Sequence, residues 1–169
     1  MMLEIALDTD EEWDSSRPWA PLVRKATEAA IAESAFPDLA MAGRPVEISV
    51  CLTSDDHVRA LNAKWRGKDK ATNVLSFPMA ETYELQNENV AEKELLLGDI
   101  ILAHDVCEAE AEEKGVPFED HAAHLLVHGT LHLLGYDHYD DEQTADMEAR
   151  EIRALQRLGI ANPYEELAA

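Results

Sequence analysis

Apolar residues at alternate positions mark two strands in the first third of the chain. Leu3, Ile5 and Leu7 are separated by Glu4 and Ala6, and Val46, Ile48, Val50 and Leu52 by Glu47, Ser49 and Cys51. That period of two sends one set of side chains to a core and the other to the opposite face of a sheet. Between them, after Pro18 and Pro21, the alanine-rich run Leu22 to Ala35 reads as a helix closed by Pro37 and a Gly43-Arg44-Pro45 turn. The opening is therefore β-α-β.

A second helix has Thr53 and Ser54 as N-cap candidates, Val58, Leu61 and Trp65 on its apolar face, and Gly67 as its stop. Asn73 to Pro78 and Gly98 to Ala103 read as two further strands. The stretch from Met79 to about Lys93 is rich in Glu and Asn and has no period, so it reads as a long loop, either mobile or a lid. Three helices complete the chain. One runs from Asp105 to Lys114 before Gly115, and one from Pro117 to Leu134 before Gly135. The last is capped by Asp140 or Asp141, with Ala145, Ala149, Ile152, Leu155 and Leu158 on one face and Gly159 beyond it. The expected fold is α+β, a single domain over residues 1–169: a small mixed sheet of about four strands with about five helices.

Composition adds little to this picture, since 46% hydrophobic and 29% charged residues are ordinary for a globular protein. The stretch Met1 to Asp8 lacks the basic and apolar regions of a secretion signal. Leu95 to Ala103, interrupted by Gly98 and Asp99, is too short to cross a bilayer, so no membrane association is expected. Cys51 and Cys107 are far apart with no C-x-x-C spacing, which suits reduced thiols in a cytoplasmic protein. Charge changes the picture more. A net charge of −21 opposes a polyanionic partner, yet Lys64, Arg66, Lys68 and Lys70 gather with Asp69 in one short segment of opposite net sign.

Five of the seven histidines, His121, His124, His128, His132 and His138, fall between residues 121 and 138. At 100° per residue the first four share one helix face. His128 and His132, four apart, can present two imidazoles to one metal ion, and Gly135 lets the chain reverse so that His138 returns to the same point. H-x-x-x-H-x-x-G-x-x-H is a metal-ligand spacing, and three neutral imidazoles leave one tetrahedral position open on zinc, as in catalytic sites. A water there has its pKa lowered to about 7. Zinc peptidases of this spacing carry a glutamate after the first histidine, but this chain has Gly129, which removes their general base and disfavours peptide hydrolysis. The same metal could instead serve attack on phosphorus, with a phosphate oxygen or Asp137 as proton acceptor; Asp137 is otherwise a turn residue supporting the ligands. His121 and His124 are read as helix-packing residues or supports behind the ligands.

Three segments carry a family resemblance: His128-Gly-Thr-Leu-His132-Leu-Leu-Gly-Tyr-Asp-His138, Arg66-Gly-Lys-Asp-Lys-Ala-Thr-Asn-Val-Leu-Ser-Phe-Pro78, and Leu97-Gly-Asp99. In these the chain resembles the YbeY endoribonucleases over roughly Val46 to Tyr164. The resemblance implies a Zn2+-dependent, single-strand-directed RNase that matures the 3′ end of 16S ribosomal RNA and serves ribosome quality control. It assigns the metal to His128, His132 and His138 and makes Arg66 the cationic residue needed for activity. Ala71 stands where many relatives have proline. The guanidinium of Arg66 suits phosphate because it can grip two oxygens at once; otherwise it is a solvated helix-end arginine. Lys64, Lys68 and Lys70 are candidate RNA contacts, and Tyr136 either stacks on a base or packs in the core. Expected partners are single-stranded RNA, as an rRNA precursor, and ribosomal small-subunit proteins, with no nucleotide cofactor. The alternative is a ribosome assembly factor whose metal is mainly structural, and a peptide hydrolase ranks last.

Overall fold

The computed structural model describes residues 3–39, 45–81, 84–85 and 94–164. Its elements are β1 (Leu3–Thr9), α1 (Trp19–Ala32), β2 (Val46–Thr53), α2 (Asp55–Arg66), β3 (Val74–Pro78), β4 (Leu95–Ala103), α3 (His104–Lys114), α4 (Phe118–Leu133) and α5 (Asp141–Arg157). The sheet order is β1-β2-β4-β3, with β1, β2 and β4 parallel and β3 antiparallel to β4. This is the mixed α+β architecture that the periodicities predict. The main core joins one sheet face to α1, α4 and α5, and a smaller cluster of Val58, Leu75, Ile101 and Ala103 sits beneath α2 on the other face. No helix among the described residues is long and apolar enough to cross a membrane, and both cysteines are free thiols.

Four expectations need correction. Helix α1 starts at Trp19 and ends at Ala32 instead of spanning Leu22 to Ala35. Trp19 is drawn in by packing: its indole N–H donates to the Asp14 carbonyl at 3.0 Å and its ring meets Trp13 at 5.0 Å and Phe118 at 5.6 Å. Pro21 is tolerated because first-turn N–H groups have no intrahelical acceptor. At the far end the Ser34 hydroxyl bonds the Ile31 carbonyl and accepts from Phe36 N, which turns the chain out of the helix.

Strand β4 begins at Leu95, three residues before the glycine taken as its start. Gly98 lies inside the strand at φ +141°, opposite Pro78, and a Cβ there would sit 2.2 Å from the Phe77 carbonyl oxygen. The glycine is present because β3 crosses too close for any side chain. Trp65 is 62% exposed instead of buried, with the Lys64 ammonium over its ring at 5.0 Å. The inward residue of that turn is Asn62, whose amide donates to the Lys70 carbonyl at 3.0 Å. On α5 the buried face is Met147, Glu151, Ala154 and Leu155, with Ala145 exposed. The stripe is shifted because a glutamate occupies its centre. The expected Gly43-Arg44-Pro45 turn and the 79–93 loop fall largely outside the described residues.

Candidate metal centre

Helix α4 runs through the interior, and its first turn carries Glu119 and Asp120, which suit the positive end of the helix dipole. It ends in paired reverse hydrogen bonds, Tyr136 N to the Leu131 carbonyl and Gly135 N to the His132 carbonyl, both 3.0 Å, with Gly135 at φ +96°. This is the glycine-dependent turn that folds the chain back over the helix end. His138 therefore returns to His128 and His132: the ring centroids lie 6.0 and 5.2 Å from it, and 4.5 Å from each other. One ring nitrogen from each of the three lies within 4.8 Å of the others.

The hydrogen bonds behind the rings determine which nitrogens face inward. His132 Nδ1 lies 2.9 Å from the Tyr136 carbonyl, which only accepts, so Nδ1 carries the proton and Nε2 the lone pair. His128 Nδ1 bonds the Glu151 carboxylate, which fixes the same tautomer. The two Nε2 atoms then face each other at 3.0 Å. With both rings neutral, two lone pairs meet at that distance, an arrangement that a cation between them stabilises, and imidazole nitrogens are suitable zinc donors. The residues present fit a metal ion. Burial, with the neighbouring His128 adding to it, pushes the His132 pKa down to about 4, so that ring is neutral at physiological pH.

Behind the cluster, burial works to raise the Glu151 pKa, but hydrogen bonds from His124 and His128, and then from Tyr164, hold it down to about 2. His124 Nε2 lies 3.1 Å from Glu151 Oε2. His121 Nε2 lies 2.9 Å from Glu110, whose carboxylate also receives the Asn73 amide at 3.0 Å. Both histidines are buried behind the ligands. Asp137 accepts the His138 backbone N–H at 2.9 Å, a turn-shaping bond.

A cleft of about 660 Å³ opens over the three histidines and is also lined by Arg66, Ser76 and Tyr139. Arg66 reaches it from the end of α2: its guanidinium donates to the Ser76 carbonyl at 3.1 Å and lies 5.7 Å from the centre of the Phe77 ring. Arg66 and the histidines, more than sixty residues apart in sequence, thus share one cavity. Lys64, Lys68 and Lys70 are exposed near the same helix end but do not line it. At Gly129 a Cβ would sit 3.0 Å from Ile100 Cγ2 and 3.1 Å from the Oγ of cleft-lining Ser76, where the helix packs on the sheet. The residue that sequence reasoning missed is Glu151. Its signal was an acid at the centre of an apolar i, i+4 pattern, Met147, Glu151 and Leu155.

A family model described as "Endoribonuclease YbeY" matches residues 7–159. The chain belongs to the endoribonuclease YbeY family. Curated YbeY relatives include that of Sphingopyxis alaskensis, 48% identical over 98% of this chain and 99% of its own length. That of Zymomonas mobilis is 46% identical over 98% of this chain and 94% of its own length. Among solved structures, the solution structure of TM1509 from Thermotoga maritima is similar with a TM-score of 0.55 and 25% identity, over 92% of each chain. The YbeY family match spans every element from β2 to α5.

Proposed function

We propose that this YbeY-family chain is a metal-dependent endoribonuclease, a hydrolase of phosphodiester bonds, in which His128, His132 and His138 hold one Zn2+. The observation that carries the reading is the pair of Nε2 atoms turned toward each other at 3.0 Å, each ring with an acceptor on its opposite nitrogen. A divalent ion held there supplies Lewis acidity toward a phosphoryl oxygen. The remaining work falls to the chain's own groups. Arg66, already lying along the cleft wall, grips non-bridging oxygens of the scissile phosphate and shares the charge that develops on them. His124 and Asp137 hold ligand geometry, through Glu151 and through the 138 turn respectively. Exposed Lys64, Lys68 and Lys70 guide the RNA strand toward the opening. The substrate is single-stranded RNA, specifically the precursor of 16S rRNA at its 3′ end, and the setting is ribosome maturation and quality control in the cytoplasm, together with small-subunit proteins.

Metal content measured on freshly purified protein, with cleavage of single-stranded RNA assayed with and without chelator, tests this reading. His128→Ala and Arg66→Ala should each cut far more slowly; undiminished cutting by both would point to a contaminating nuclease. A second reading is favoured by the net charge of −21, which suits basic ribosomal proteins better than naked RNA. In it the chain is an assembly factor with a mainly structural ion. Retained rRNA processing and subunit co-sedimentation in a metal-site variant would support that second reading.

A further inference from the structure

Glu151 is the one carboxylate among the described residues that is fully buried, at 0% exposure. A charge in that position needs several donors, because burial without them is costly. It has three. Oε1 takes the His128 Nδ1–H, while Oε2 takes His124 Nε2 at 3.1 Å and the hydroxyl of Tyr164. Tyr164 belongs to the segment that follows α5. Its backbone N–H donates to Asn162 Oδ1 at 2.8 Å, and its ring meets His124 edge to face at 5.4 Å. A continuous path of hydrogen bonds therefore runs from the C-terminal segment to the ring of one of the three clustered histidines.

We infer that Glu151 and Tyr164 are positioning residues that set the affinity of the three-histidine cluster for its metal, so that metal occupancy and docking of the C-terminal segment reinforce each other. The inference rests on the metal-centre reading above. Glu151 fixes both the tautomer and the rotation of the His128 ring, and Tyr164 and His124 fix the rotation of Glu151. A cation on the far nitrogen of His128 polarises the ring and strengthens the Nδ1–H bond to Glu151. The better-anchored carboxylate is in turn a better acceptor for Tyr164. Coupling of this kind is reciprocal by linkage: whatever the docked segment adds to metal affinity, the metal adds to docking of the segment.

The test uses full-length protein stripped of metal and titrated with zinc alone against a chromophoric chelator. Tyr164→Phe keeps the ring packing and removes only the hydroxyl. It should weaken zinc binding by roughly 10-fold, and Glu151→Gln by roughly 10- to 100-fold. Zinc should also slow hydrogen exchange at the backbone amides of residues 161–164, and Tyr164→Phe should abolish that protection. Wild-type zinc affinity in both variants, accompanied by lower melting temperatures, would make the pair ordinary core residues and overturn the inference. Absence of zinc from the wild type, or binding that survives His132→Ala, would instead overturn the metal centre itself.

Discussion

Position 129 separates the chemistry of this protein from that of zinc peptidases with the same histidine spacing, and Gly129→Glu is the perturbation that examines it. The missing side chain would start in a tight space beside the cleft-lining Ser76. Its first carbon would stand 3.0 Å from Ile100 Cγ2 and 3.1 Å from Ser76 Oγ, where α4 packs on the sheet. For Gly129→Ala, the helix gains about 1 kcal/mol in propensity and loses about 1–3 kcal/mol to overpacking, a net loss of about 1 kcal/mol. Glutamate adds a charged side chain that has to be accommodated where helix and sheet are in close contact, bringing the total loss to about 4 kcal/mol. For a domain of this size that corresponds to a melting temperature lower by roughly 8 to 16 °C. Thermal denaturation followed by circular dichroism measures the loss. A Gly129→Glu protein that melts like the wild type would refute the reasoning, because the space at residue 129 would then admit a side chain without cost.

Arg66→Lys keeps the charge but loses the fork, so RNA cleavage should fall well below wild type, while Arg66→Ala should lose roughly 100- to 1000-fold. Both should melt close to wild type in calorimetry, since Arg66 is an exposed residue. Gly98→Ala forces a Cβ to within 2.2 Å of the Phe77 carbonyl and should cost about 3 kcal/mol in urea denaturation, with β3 displaced from the cleft wall. Glu33, although burial acts to raise its pKa, is held below its ordinary value of 4.5 by hydrogen bonds from Arg157 and Arg153 at 2.7 and 2.9 Å. Its folded pKa is depressed, so its stabilising effect is complete above about pH 4.5 and is lost as pH falls through the folded value. The stability gap between wild type and Glu33→Gln should accordingly narrow in acid.

Elements whose residues alternate or cap cleanly were legible from the chain alone, such as β1, β2 and the α2 end at Gly67. So was the return of His138, because a glycine just past a helix end readily takes the positive φ that reverses the chain. Errors arose where tertiary contacts overrode local signals. Gly98 reads as a strand boundary, yet it is an interior residue required by a neighbouring carbonyl. Trp65 reads as core but lies outside, while polar Asn62 is buried because it bonds the 67–70 loop. Glu151 was not found because a carboxylate in an apolar stripe is explained only by donors from α4 and from residue 164, which no local window contains.

Tyr136, half-buried at the wall of the cleft, also acts as a pillar. Its hydroxyl accepts from Ala35 N at 2.9 Å, its ring lies 4.8 Å from the Arg150 guanidinium, and its carbonyl receives His132. The short loop that delivers His138 is thereby pinned to the turn after α1 and to α5 by forces internal to the polypeptide. Ordering such a loop costs about 1–2 kcal/mol per residue, and here folding itself meets that cost. The apoprotein should consequently keep the mould of its empty centre. Chelation should strip the ion reversibly and leave a folded chain ready for reloading, unlike a zinc finger, which collapses when its metal is withdrawn.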